Sequence, residues 1–431
     1  MMTKNEKIKQ SGIETRLKRK TQILKIFELK VNCHHTSKED FKKFNEMFKQ
    51  AKWIQNDVIA SNDVFHYNYK DHRKVINFDK DKNRVERDIT IQTGVHQCII
   101  AQVQQDIVNL SKSKKHGNKI GKLKFKSECN FIPLRTGMLK IKSSKRISIP
   151  MFKNLCVYGL EQFTNIPNYE IANAVLIRKA SGIYIHISVY FPKLSNEYKL
   201  KNKNIGLDFG IKTAITTSDG DFFECDKQET EQLKFLQKQL HKKQKGSKRY
   251  WKLRNQIRKE HEHISNQKKD VANKIVHKLL SENDIIYFQD EQISKWRKKK
   301  RSKKNGKKCG FSFGRQVQSS CLGRVKQKLI DLEKTNRSFK ISKWMPTTKF
   351  CPNCGCLNTL TLADRTYACD CGYTCDRDVH ASKNVLLFGS TKRAECLEQT
   401  SAEVSTSMRL IDSRLISQVE AMKRKQEANI L

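Results

Sequence analysis

The stretch from Cys351 to Asn384, CPNCGCLNTLTLADRTYACDCGYTCDRDVHASKN, constrains the fold more than any other part of the chain. It holds six of the fourteen cysteines. Cys351 and Cys354 form a C-x2-C pair and Cys369 and Cys371 a C-x-C pair, with fourteen residues between the pairs. Two close thiolate pairs on separate turns are the pattern with which a short segment encloses one Zn2+ in a tetrahedron of sulfur. Cys356 and Cys375 are spare thiols that could replace a nominal ligand. A site closed by four cysteines leaves no position for substrate, so this ion is predicted to be structural. The segment runs without a linker into Asp376 and Asp378, which raises the question of what the cysteines hold in place.

Charge narrows the partner. The 431 residues carry 86 Lys and Arg against 44 Asp and Glu, a formal charge of +42. Such an excess repels itself in a compact state unless a polyanion is near, which points to nucleic acid; solubility alone asks for far less. No run of 18 apolar residues occurs, and MMTKNEKIKQSGIETRLKRK has no apolar signal region. The expectation is a soluble protein inside a reducing cell, with no membrane partner. In that reducing compartment cysteines serve as metal ligands and small buried residues rather than as disulfides.

Periodicity divides the chain. Residues 1–22 read as a basic disordered arm, and QILKIFELKV as a strand. Phe41, Phe44, Phe48, Ala51, Trp53, Ile54 and Val58 recur near helical spacing, and TGVHQCIIAQVQQDIVNLSK predicts a second helix. Further on the pattern is β-rich, with Ile183, Ile185, Ile187, Val189 and Phe191 on alternate positions. Residues 23–198 are therefore predicted to be a small β-barrel with a helical insert over about 38–120. From Asn204, NIGLDFGIKTAITTSDGDFF reads as strand, turn and strand, with Asp219-Gly220 supplying the turn. Residues 227–280 predict a pair of long helices whose polar side is rich in cations, Arg249, Arg254 and Arg258 among them. IIYFQ returns to strand chemistry. Ten of the fourteen residues from Lys295 to Lys308 are basic, which predicts a flexible phosphate-binding loop or tether carrying Lys298, Lys299, Lys300, Arg301, Lys303 and Lys304. A helix and the strand RSFKISKWMP precede the cysteines, and 391–431 is a polar tail.

The reagent is sought among carboxylates at element edges: Asp208 after one apolar run, Asp290 or Glu291 after another, and Asp376 or Asp378 at the start of the last helix. Three such acids suit hard divalent cations, two Mg2+ or Mn2+ ions about 4 Å apart, which can hold both oxygens of an in-line phosphodiester displacement. Without cations the acids would repel and raise one another's pKa.

Taken in order, IGLDFGIKTAITTSDG, IIYFQDEQI and CPNCG…CDCGYTCDRDVHASKN resemble the three RuvC motifs and intervening zinc ribbon of the TnpB family of transposon-encoded nucleases and the related miniature type V CRISPR effectors. The resemblance is strongest over about 204–388. It implies an α/β plus β fold: an RNase H-like (RuvC) nuclease over 199–345 and 376–390 with the helical insert, a zinc ribbon over 346–375, and a preceding wedge barrel. Carried over, Asp208 and Asp378 match the first and third catalytic acids. The middle one is a glutamate in the family and falls on Gln289 without a gap, so Glu291 is preferred for its longer reach and shared parity, with Asp290 in reserve. The implied activity is RNA-guided DNA endonuclease: a guide RNA, a short target-adjacent motif on double-stranded DNA, an RNA:DNA heteroduplex, and cutting at one site that needs Mg2+ or Mn2+, beside one structural Zn2+. Oligomeric state stays open between monomer and dimer. The rivals are a cleavage-deficient RNA-guided repressor, an unguided transposase or resolvase, and a zinc-ribbon regulator that would leave Asp208 and Glu291 idle.

Overall fold

A computed structural model describes residues 4–61, 63–78, 83–121, 123–192, 201–225, 230–297, 300–304, 307–311, 313–361 and 364–398. The chain divides into two compact units, Met1–Ser195 and Asn196–Leu431.

The first unit runs α1 (Lys4–Lys20), β1 (Gln22–Val31), α2 (Lys38–Ala60), β2 (Lys74–Phe78), β3 (Arg84–Asp88), α3 (Thr93–Lys115), β4 (Phe131–Leu134), β5 (Lys140–Ser143), β6 (Arg146–Ile149), β7 (Phe152–Tyr158), α4 (Glu161–Thr164), β8 (Glu170–Lys179) and β9 (Gly182–Pro192). Residues 4–20, expected to be disordered, are helical. They are rich in good helix formers, and the end of α1 is tied down by Arg19, which donates to Glu170 at 2.9 Å and stacks 3.8 Å over the Tyr190 ring. Seven strands form one antiparallel sheet in the order β4-β8-β9-β1-β7-β6-β5. Among the described residues no pairing joins β4 to β5, so this is a curled sheet with two edges rather than the predicted closed barrel. The alternating Ile183, Ile185, Ile187, Val189 and Phe191 are all buried. In α2, Ser37 caps the N-terminus and Phe44, Met47, Phe48, Ala51, Ile54 and Val58 line one stripe against the sheet and α3. The predicted helical insert also contains the β2–β3 hairpin, whose polar sequence hid its pairing.

The second unit begins with β10 (Asn204–Phe209), β11 (Ile215–Thr217) and β12 (Phe222–Phe223). Next come α5 (Glu231–His241), α6 (Lys248–Glu282), β13 (Ile285–Gln289), α7 (Ile293–Trp296), β14 (Lys300–Lys304), β15 (Lys307–Phe311), α8 (Gly314–Ser319), α9 (Leu322–Glu333) and β16 (Ser338–Ile341). It ends with β17 (Thr366–Ala368), β18 (Thr374–Asp376) and α10 (Arg377–Glu398). Gly220 turns β11 into β12 at φ 92°, as the Asp-Gly pair predicts. The five-stranded sheet is ordered β12-β11-β10-β13-β16; β10, β13 and β16 are mutually parallel, while β11 and β12 run antiparallel. Parallel strands need crossovers, supplied by α6 and α9. Ile205, Leu207, Phe209, Ile286 and Phe288 pack with α6 and α9, whereas Tyr287 packs with Val385 and Phe388 of α10. By strand alternation, Gly206, Asp208 and Gln289 face α10. The basic loop is a hairpin: Lys300 to Lys304 pairs antiparallel with Lys307 to Phe311. Lys298 and Lys299 lie outside the described residues, as does the tail from residue 399. None of the described helices is long and apolar enough to cross a membrane.

Candidate functional site

Two glycines set the distance between α10 and the sheet. A Cβ on Gly206 would lie 2.2 Å from the Ser382 carbonyl oxygen and 2.7 Å from the Leu386 nitrogen; one on Gly389 would lie 2.2 Å from the Tyr287 ring. Only glycine lets the helix come this close. Asp208 lies two residues beyond Gly206, about 6.6 Å along the strand. Asp378 lies four residues before Ser382, about 6 Å along the helix. The two steps lead to the same end of the sheet. There, burial and then the carboxylates of Asp378 and Glu291 push the half-buried Asp208 up to about 7. One Asp208 carboxylate thus feels both other predicted acids. Of the two aspartates at the start of α10, Asp376 is occupied as its cap, its Oδ1 accepting from the backbone of Asp378 at 2.9 Å and Val379 at 3.1 Å. Asp378 raises the pKa of Asp208 and itself accepts from the Arg377 Nε at 3.4 Å.

The middle position is equally divided. Strand β13 ends at Gln289, and the Glu291 N–H donates to the Gln289 carbonyl at 2.8 Å, so the backbone turns where the parity reading expects a regular strand through 290 and 291. Gln289 is buried; its Nε2 donates to the carbonyls of Ser342 and Met345 at 3.2 and 3.0 Å, and its Oε1 accepts from Thr347. Asp290 is engaged by Lys326, whose Nζ lies 2.6 Å from its Oδ1, and by Lys340 at 3.9 Å. Glu291 is partly buried; burial raises its pKa, opposed by Lys326, with Asp290 raising it further and Lys343 and a Trp296 hydrogen bond lowering it. Asp290 is neutralised by lysines, while Glu291 is the acid that reaches the field of Asp208.

The cysteines form a second centre. The Sγ atoms of Cys351, Cys354, Cys369 and Cys371 all lie within 4.8 Å of one another, with Cys351–Cys371 at 3.6 Å and Cys354–Cys369 at 3.5 Å. Four sulfurs around a zinc ion at about 2.3 Å stand about 3.8 Å apart, so this set fits Zn2+. Cys356 and Cys375 fall outside the group. Among the described residues no other metal-ligating side chains converge this closely; the three acids stand farther apart. Gly355 and Gly372, at φ 76° and 88°, turn the two knuckles and donate back to Cys351 and Cys369.

How the ribbon reaches the acids was missed from sequence. Asn384 of α10 is buried and donates from Nδ2 to the carbonyls of Thr347 and Phe350, both at 2.7 Å. One turn earlier, the His380 ring stacks on Tyr367 of β17 at 3.7 Å and 15°, and burial lowers its pKa to about 4, so it packs as a neutral ring. These contacts join the cysteine ribbon to the helix that carries Asp378. The signal was present: His380 and Asn384 stand i, i+4 in VHASKN, a polar pair on one helical face. On α6, Arg249 and Arg258 are exposed and Arg254 stacks over Trp251 at 4.9 Å. Lys300, Arg301, Lys303 and Lys304 fall on one strand of the hairpin.

With this geometry in hand, comparison with known proteins is direct. The family model OrfB_IS605, described as "Probable transposase", matches residues 186–295, and the Cas12f1-like TNB domain model matches 331–385. The first spans the Asp208 strand, the helical insert and both middle acids; the second spans the cysteines and Asp378. The chain is 28% identical over 191 residues, 43% of its length, to a Streptomyces pristinaespiralis protein named "Putative RNA-guided DNA endonuclease". It is 31% identical over 147 residues, 33% of its length, to the TnpB-like protein L79 of Acanthamoeba polyphaga mimivirus. The matched stretches cover 45% and 27% of those two proteins, so the chain spans less than half the length of the curated relatives it matches. The solved complex titled "Cryo-EM structure of the Cas12f1-sgRNA-target DNA complex" is similar at a TM-score of 0.46 and 12% identity, over 85% of this chain and 99% of that one. The matches fall mainly on the second unit, and on the cysteine ribbon before the last helix. More particularly, the chain is similar in sequence to TnpB-like proteins, and its residues 331–385 to the Cas12f1-like TNB domain.

Proposed function

We propose that the protein is an RNA-guided DNA endonuclease that cuts both strands at one site built from Asp208, Glu291 and Asp378. The observation that carries this reading is the field at Asp208: burial and two neighbouring carboxylates hold it at about 7, an arrangement that favours cations over three bare anions. The donor set, all carboxylate oxygen, suits Mg2+ or Mn2+, which when bound would stabilise the charge that develops as a phosphodiester is displaced in line. The chain's own share is to hold the acids at one end of a rigid sheet, with α10 seated by Gly206 and Gly389. Zn2+ held by the four cysteines would fix the ribbon that His380 and Asn384 tie to α10. The guide RNA pairs with the target strand and reads sequence, and the first unit, with the basic helices and hairpin of the second, holds the nucleic-acid backbone and reads a short flanking motif. That division of labour is the one by which guided nucleases work in general.

Asp208→Ala is expected to abolish Mg2+-dependent cutting of a guide-matched duplex while leaving RNA-guided binding within a fewfold of the parent. A loss of binding equal to the loss of cutting would remove the metal-site assignment. Discrete RNA copurifying with the chain supports guidance; its absence returns the reading to an unguided transposase or resolvase.

A further inference from the structure

An aromatic ring lies on the turn that Gln289 holds beside the end of β13. Trp344 is 42% exposed, and the turn that carries it is held by hydrogen bonds and packing. Met345 next to it is buried with Tyr287, Ile341 and Phe350. Gln289 grips the carbonyls of Ser342 and Met345, the Ser342 hydroxyl accepts from the Trp344 N–H at 3.3 Å, and the Met345 N–H closes back on Ser342 at 3.2 Å. Lys343 Nζ sits 4.2 Å from the Trp344 ring centroid. Gln289 pairs with Ile341 across β13 and β16, which places the Lys343–Trp344 turn beside the segment that carries Glu291. On the other side of the turn, Ile341 receives the Asp290 N–H at 3.0 Å.

A flat ring presented on a rigid turn, capped by a cation and next to a phosphodiester-cutting site, is what a single nucleic-acid strand requires. A base stacks on the ring, and the adjacent phosphate takes the cation. We infer that Trp344 and Lys343 are the stacking platform and phosphate clamp that seat a single DNA strand at the site, a positioning role that rests on the endonuclease reading. A ring left 42% exposed beside Lys343 offers a base a face on which to stack. Charge selects the occupant: Lys343 sets a cation 4.2 Å from the ring centroid, which suits a strand that carries phosphates.

The test is strand binding by the full-length chain carrying Asp208→Ala, measured with short single-stranded DNAs holding one 2-aminopurine, over a salt series up to about 0.5 M, where phosphate contacts are weakened. Trp344→Ala is expected to lower affinity by roughly 5- to 100-fold with the salt slope unchanged, because stacking releases no counterions. Trp344→Phe should recover most of the loss, and Lys343→Ala should reduce the slope of log K against log salt by about 0.7. Melting curves compare folding, and the Phe variant keeps the comparison valid if the Ala variant unfolds. An unchanged affinity in Trp344→Ala, a Phe variant as weak as the Ala variant, or a Trp344 dependence seen only with RNA of the same sequence would overturn the inference. Cutting by the parent chain is followed separately: a chain that never cuts with Mg2+ but still loses strand affinity with Trp344→Ala refutes the nuclease reading and leaves the stacking site standing.

Discussion

At the scale of single residues, the telling contrast is between neighbours with the same charge and different company. Asp290 is paired with Lys326 and lies near Lys340; Glu291 is raised by burial and reaches Asp208. Asp290 is held directly by Lys326 at 2.6 Å, so a cation adds less to it than to Glu291, whose pKa burial raises despite the fields of Lys326 and Lys343. Gln289, where an ungapped reading would put the middle glutamate, is committed to the Ser342–Thr347 turn and has no charge to give. Glu291→Gln keeps shape and removes charge, and is expected to lower cutting by on the order of 100-fold or more, the scale at which electrostatic groups of a reacting centre act. Asp290→Asn keeps an oxygen for Lys326 and should retain most activity. A single-turnover comparison of the two variants decides it, and the reverse ranking would hand the position to Asp290.

At the scale of elements, strands and long helices were legible because their periodicity and turns are local: the alternation ending at Phe191, the apolar stripe of α2 and the Asp-Gly turn each report their own neighbourhood. The convergence of Cys351, Cys354, Cys369 and Cys371 follows the spacing of the two pairs. What stayed hidden depends on residues distant in sequence. Helix α1 has little apolar stripe and is fastened by Glu170, 151 residues beyond Arg19; the β14–β15 hairpin is too basic to resemble a strand pair; and the fit of α10 is invisible until Gly206 is seen under Ser382. The ribbon and α10 act as one piece through Asn384 and His380. Asn384→Ala would strip donors from two carbonyls that are otherwise held, a cost of roughly 1–3 kcal/mol for each group left unsatisfied. The expected outcome is a lower Tm and at least tenfold weaker cutting with a full equivalent of zinc retained, measured by elemental analysis beside activity. Cutting at the parental rate despite the lower Tm would mean that the ribbon does not position Asp378.

For the molecule as a whole, the dominant fact is a formal charge of +42 on 431 residues, far above what holds a protein in solution. Such charge is useful only where it can be discharged against phosphates, and it is concentrated: residues 298–308 hold eight Lys and Arg and no acid. The described part of this run, Lys300–Lys304 and Lys307–Phe311, is a two-stranded hairpin rather than an irregular loop. A hairpin that grips phosphates and a tether that merely links α7 to α8 make different predictions about salt. Every phosphate that the segment neutralises adds about 0.7–0.9 to the slope of log K against log salt, through the counterion it sets free, and removing the segment takes that share away. Replacing residues 298–308 with a short Gly-Ser linker should therefore weaken nucleic-acid binding most at low salt and reduce the slope by at least about 2, while Asp208-dependent cutting survives at saturating protein. Filter binding or fluorescence anisotropy from low to physiological salt measures this; parallel lines for the parent and the linker variant would show that the segment is only a tether, and that the charge is spent on the helices and the first unit instead.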